Sequence, residues 1–164
     1  MTKNLNTELY KCIKSINIEH LVEDDIKELL NILKYTNNPL IWNHIALLLS
    51  DLKYDKAVPF LIKKIMSKEA YSDNGTLVYA LENLDCRKYF IFIIKIICEM
   101  EYEARLGAYE IVQEVSKEIN LTTKKRALKI LEEKRKMLVS SKKVDKGENS
   151  TLHFVEKTME LLVY

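Results

Sequence analysis

Three histidines (His20, His44, His153) and three cysteines (Cys12, Cys86, Cys98) are the side chains best suited to hold a metal or act as base or nucleophile. Their spacing supports neither role. No H-E-x-x-H and no C-x-x-C occurs, so a zinc signature is missing. Carboxylates follow His20 in "HLVEDD", but acidic residues there read as the start of a helix, where the dipole favours them. Gly75 stands alone in "SDNGT". A phosphate loop needs several glycines and a following Lys, so this reads as a turn, with Asp73 or Asn74 capping the next helix. Serine and cysteine nucleophiles need a positioned base, and no motif supplies one. The expectation is a chain with no catalytic residue, cofactor or metal: not an enzyme.

Chemistry of a second kind remains, that of binding. The densest positive stretch is "LTTKKRALKILEEKRKMLVSSKK", residues 121–143, interrupted by Glu132 and Glu133. At helical spacing Lys129 and Glu133 form an i,i+4 pair. The stretch is a solvated helix face, or else a surface for phosphate or an acidic protein. Nine tyrosines occur, and Trp42 stands near the start of a helical pattern. Tyr, Trp and Arg are common interface anchors, although each ring also has a packing reading.

These residues must be positioned by something, and composition narrows what. The 164 residues, 48% hydrophobic and 30% charged, suit one globular domain with a real core. With only three Gly and two Pro, helices are favoured over a many-turned sheet. A net charge of +2 argues against a dedicated nucleic-acid binder. The longest apolar run, "YFIFII" at 89–94, is far short of the ~20 residues of a membrane span. Scattered cysteines and no signal-like N-terminal run point to a cytoplasmic chain.

The strongest organising signal is an internal repeat. "LSDLKYDKAVPFLIKKI" (49–65) and "LENLDCRKYFIFIIKII" (81–97) lie 32 residues apart. Leu49/Leu81, Leu52/Leu84, Lys56/Lys88, Phe60/Phe92, Ile62/Ile94, Lys63/Lys95 and Ile65/Ile97 are identical. Self-similarity at a fixed period marks stacked units that cannot bury their faces alone. Each unit reads as a helix pair. Asn38 caps the first helix, with Pro39 at its first position and Ile41, Ile45, Leu48, Leu49 and Leu52 as its stripe. Asp55 caps the second, with Val58, Leu61, Ile62 and Ile65 facing the core. The run 89–97 alone also fits a strand, but its alignment with "AVPFLIKKI" assigns it to a helix. Further pairs cover "SDNGTLVYALENLD" with "CRKYFIFIIKIICEM", and "EYEARLGAYEIVQEVSKEI" with "LTTKKRALKILEEKRKMLV". Helices near 6–16 and 22–36 precede them. Residues 1–139 thus read as one repeat domain, 140–150 as a linker, and 151–164 as a helix that caps the stack or docks elsewhere.

"DKAVPFLIKKI" and "YEARLGAYEIV", the latter with Arg105 and Ala108 three apart, resemble the second and first helices of small bacterial HEAT-repeat proteins, within the armadillo-like superhelices. The resemblance covers roughly residues 38–138. It implies an all-α, HEAT-like solenoid of about four antiparallel helix pairs plus a C-terminal helix. In such stacks the second helices line the inner surface, which here nominates Phe60, Lys63, Lys64, Tyr89, Phe92, Lys95, Lys125 and Lys129 as partner-binding residues. The implied function is non-catalytic protein binding, with an immunity protein inhibiting a cognate bacterial toxin as the specific form. The alternative is a nucleic-acid-binding, DNA glycosylase-like protein using the basic 121–143 segment. No membrane partner is expected.

Overall fold

A computed structural model of the chain describes residues 2–141, 145 and 147–163. Among these residues the regular structure is entirely helical. Nine α-helices follow in order: α1 (Thr2–Lys14), α2 (Glu23–Tyr35), α3 (Pro39–Asp51), α4 (Val58–Ile65), α5 (Gly75–Tyr79), α6 (Phe90–Glu99), α7 (Tyr102–Val115), α8 (Leu121–Val139) and α9 (Thr151–Val163). The strand alternative for 89–97 is therefore excluded. None of these helices is long and apolar enough to cross a membrane.

The helices divide into two compact units, Met1–Leu84 and Asp85–Tyr164. The division falls after Leu84, within the stretch read from sequence as one repeat domain, and α9 belongs to the second unit. In the first unit α3 is central, packing on α1, α2 and α5, while α4 packs on α2 and α5. Ile41, Ile45, Leu49, Leu61, Ile65 and Leu77 lose all contact with solvent there, each burial worth about 1.5–3 kcal/mol. In the second unit α6 takes the central place and packs on α7, α8 and α9. It is buried along Phe90, Ile93, Ile94, Ile96 and Ile97, more than one stripe wide, as a helix packed on several sides requires. The C-terminal helix α9 also packs on α7 and α8 of its own chain.

Local signals explain the boundaries. The Asp25 carboxylate accepts the Val22 N–H at 3.0 Å and opens α2, as a residue at the third helical position does in a capping box. The Asn38 side chain accepts from the Leu40 N–H at 3.0 Å, and Pro39 begins α3. Asn120 does the same for α8, accepting from Thr123 N–H at 2.9 Å. The end of α3 is a Schellman turn: Lys53 N–H donates to Ser50 O at 2.9 Å and Tyr54 N–H to Leu49 O at 3.0 Å. Lys53 holds φ 50° to make it, a place usually given to Gly.

Two local expectations are corrected. Asp55 does not cap α4; it opens a single 3-10 turn, Asp55–Ala57, and Ala57 holds the cap position. Pro59 makes a tighter lead-in natural, since it lacks an N–H and sits in the first turn of α4. The helix read over 72–85 is regular only from Gly75 to Tyr79. Beyond it the backbone tightens, with Leu81 N–H bonded to Val78 O at 2.9 Å and Leu84 N–H to Leu81 O at 3.0 Å. The Asn83 amide donates to the Ser50 hydroxyl at 3.1 Å within that tightened stretch.

The 32-residue repeat holds in the backbone. A 3-10 turn at Arg87–Tyr89 leads into α6, as Asp55–Ala57 leads into α4. Both turns and both helix starts keep the sequence offset.

Candidate partner-binding surface

The core stripe of α4 decides which of its side chains are left for solvent. Val58, Leu61, Ile62 and Ile65 face inward and Lys64 is buried beside them; Phe60, Lys63 and Lys64, spaced i, i+3 and i+4, share the neighbouring side. That side meets the end of α2. Together they line an open pocket of about 410 Å³, with Lys34, Tyr35 and Asn37 from α2 and the residues just after it, and Ser67 and Glu69 beyond α4. Phe60 is 40% exposed and Tyr35 67%, so two aromatic rings stand at this pocket without being core.

The pocket is basic in character. The Lys34 ammonium lies 4.6 Å from the Tyr35 ring centroid. Lys34, by hydrogen bond and charge, holds the Tyr35 phenol below its ordinary pKa, with Lys63 adding to the effect. Among the described residues, Glu69 is the one carboxylate on the wall. Its own backbone N–H and the Ser67 hydroxyl hold its pKa below the usual range.

Lys64 corrects the expectation of a solvent-facing charge. It is only 5% exposed. Its ammonium donates to the Thr36 carbonyl and lies 4.6 Å from the Trp42 ring centroid. A cation at the C-terminal end of α2 suits the helix dipole, yet burial lowers the Lys64 pKa against the opposing pull of Glu69. Trp42 itself is 1% exposed and packs in the core.

In the second unit, Tyr89 is half-buried in the turn ahead of α6 and Phe92 is 42% exposed. The Lys95 ammonium lies 5.5 Å from the Phe92 ring centroid. Lys125 and Lys129 are exposed on α8. The nominated residues thus form a pocket-lining group on α4, an aromatic–lysine group on and before α6, and a basic pair on α8.

Sequence reasoning missed several participants. Lys34 and Tyr35 carry a signal, because Tyr35 lies off the buried stripe Ile26, Leu29, Leu30 and Leu33 of α2. An Arg87 clasp also went unseen. Its guanidinium donates to Asp85 at 2.8 and 2.9 Å and to Glu118, holding the Asp85 carboxyl at a pKa of about 2. Arg105 is buried and donates to Met100 O at 2.7 Å and Asn149 O at 3.1 Å. It thereby ties the segment before α9 to α7. Tyr109 and Tyr102 pack edge-on to Phe154, at 5.6 and 6.1 Å, and the Tyr54 hydroxyl donates to Glu23 at 3.0 Å.

For metal or nucleophilic chemistry the geometry offers little. Among the described residues no group of three His, Cys, Asp or Glu side chains could hold a metal ion. Burial pushes the Cys98 thiol up to about 11, which keeps it protonated at neutral pH. His44 packs edge-on to Tyr10 at 6.1 Å and His153 to Phe154 at 5.9 Å.

Comparison of the chain with known protein families, with curated proteins and with solved structures gives no match in any of the three.

Proposed function

We propose that this chain is a non-catalytic protein-binding module of HEAT-like helix pairs, and that the second helices, α4 and α6, present its binding residues. One observation carries the reading. Both repeat copies leave a Phe about two-fifths exposed, 40% at Phe60 and 42% at Phe92, with a Lys three positions later. Core packing explains why a repeat keeps Ile62/Ile94 and Ile65/Ile97. Two half-solvated rings at matching positions are the part of the repeat that lies outside this buried stripe. Aromatic rings supply buried area at protein interfaces and lysines near them steer an acidic partner; Lys95 lies 5.5 Å from the Phe92 ring centroid. The specific form favoured is an immunity protein that inhibits a cognate toxin one to one, an analogy from small HEAT-like proteins.

The test is capture from nuclease-treated lysate of the source organism, using tagged wild type beside a Phe60→Ala, Phe92→Ala double variant. The expected result is one stoichiometric partner held by wild type at moderate salt and lost by the variant. A partner retained equally by both contradicts the reading. So does recovery of nucleic acid alone with steep salt dependence, which would direct attention to Lys125 and Lys129.

A further inference from the structure

The two repeat copies differ at one buried place in a way that packing does not require. Lys64 of α4 and Ile96 of α6 are 32 residues apart in register, and both are buried, at 5% and 0% exposure. A side chain at this position can therefore be aliphatic. In the first copy it is an ammonium, which is costly to take out of water. An ammonium has three donors; among the described residues one is spent, on the Thr36 carbonyl. Lys64 lines the same pocket as Lys34, Lys63, Tyr35 and Phe60. Among the described residues, three cations and one carboxylate, Glu69, therefore line the cavity together with the Tyr35 and Phe60 rings. A fixed, desolvated cation attracts an anion far more strongly than a solvated one does.

We propose that this pocket is the docking site for an acidic segment of a partner protein. A carboxylate of that segment meets the Lys64 ammonium, and a neighbouring bulky apolar side chain lies against Phe60 and Tyr35. Lys34 and Lys63 supply the steering charge. The proposal rests on the protein-binding reading and names the chemistry of the partner at one of its two anchor groups. Pocket size selects this occupant over nucleic acid, because an open pocket of about 410 Å³ takes a side-chain pair rather than a run of phosphate backbone.

The probes are two short acetylated peptides, one with glutamates flanking a central Phe and one with lysines flanking it. Binding is followed by amide chemical shifts and by fluorescence anisotropy. The Glu–Phe peptide is expected to shift the amides of Tyr35, Phe60 and Lys64, and to bind at least roughly tenfold tighter than the Lys–Phe peptide. Lys64→Met, which keeps the apolar stem and removes the charge, is expected to weaken the Glu–Phe peptide roughly tenfold. Should that variant unfold, Lys63→Gln on the exposed rim carries the same test with a smaller loss. Equal binding of the two peptides, or shifts confined to α6 and α8, overturns the proposal. So does undiminished affinity in folded Lys64→Met, since Lys64 then serves only to cap α2. A single-stranded oligonucleotide that outcompetes the peptide, or self-association through these same amides, also overturns it. Phe92 lies outside this pocket, so loss of the captured partner in a Phe92→Ala single variant reports on the protein-binding reading independently.

Discussion

Helix α4 and the matching part of α6 are two renderings of one instruction, and they differ where it matters. Val58 and Phe90, Leu61 and Ile93, Ile62 and Ile94, and Ile65 and Ile97 occupy equivalent buried places. Phe60 and Phe92 are equivalently half-exposed. But α6 is packed by α7, α8 and α9 and uses Ile96 as a further core contact, whereas α4 is packed by α2 and α5 and carries Lys64 there. The comparison separates what the repeat needs for folding from what one copy adds. The shared aliphatic stripe holds each helix in its unit. The buried lysine belongs to a pocket that the α4 copy builds with α2.

The largest test of this difference is to make α6 imitate α4. Ile96→Lys places a charge at a fully buried position, and is expected to destabilise the chain by about 3–5 kcal/mol, as an uncompensated buried ion does. Urea denaturation reads the loss. A cost under about 1 kcal/mol would mean that the two sites are electrostatically alike. Next come paired truncations in the shared stripe. Leu61→Ala and Ile93→Ala both empty fully buried sites, and each is expected to cost about 2–5 kcal/mol. A small loss in either would show that this copy's stripe does not hold its unit.

Smaller effects sit in the turns before the two helices, where the charges are reversed: Lys53 and Asp55 in one copy, Asp85 and Arg87 in the other. Asp85 has its pKa held at about 2 rather than 3.8, chiefly by the Arg87 hydrogen bond. A depressed carboxylate stabilises the fold above its unfolded pKa and loses that contribution as pH falls through the folded one. The window is therefore about pH 4 down to 2. The side chain is 35% exposed, so solvent screening reduces the contribution to roughly 1 kcal/mol. Acid unfolding of Asp85→Asn, compared with wild type, should lack that component; unchanged curves would contradict it. Lys53→Gly relieves a φ of 50° and is expected to raise stability by about 0.5–1 kcal/mol, while Asp85→Gly, at the equivalent place, is expected to lower it. Thermal melts of the two variants check the opposite signs.

Much of the fold is legible in the sequence, and the reasons are local. Asn38–Pro39 fixes the start of α3, the aliphatic stripes fix which side of each helix is buried, and the repeat assigns "YFIFIIKII" to a helix against its strand-like composition. The short α5 was not legible, because after Tyr79 it passes into tight turns without a breaker residue to mark the change. Nor was the Schellman turn at Lys53, since its usual Gly is replaced. At the candidate surface, the repeat pointed to Phe60, Lys63, Phe92 and Lys95. It could not show that Lys64 turns inward, because α4 alone does not reveal that the Thr36 carbonyl just after α2 and the Trp42 ring of α3 lie beside it.

The most direct test of the account is to measure stability and partner affinity together in the Phe60→Ala, Phe92→Ala double variant. Half-exposed rings that exist for binding predict a loss of stability of about 1 kcal/mol or less per site, with captured-partner affinity falling by more than about tenfold. Stability losses of about 3 kcal/mol or more per site, with affinity of the folded fraction unchanged, would show that both rings serve packing and would contradict the account.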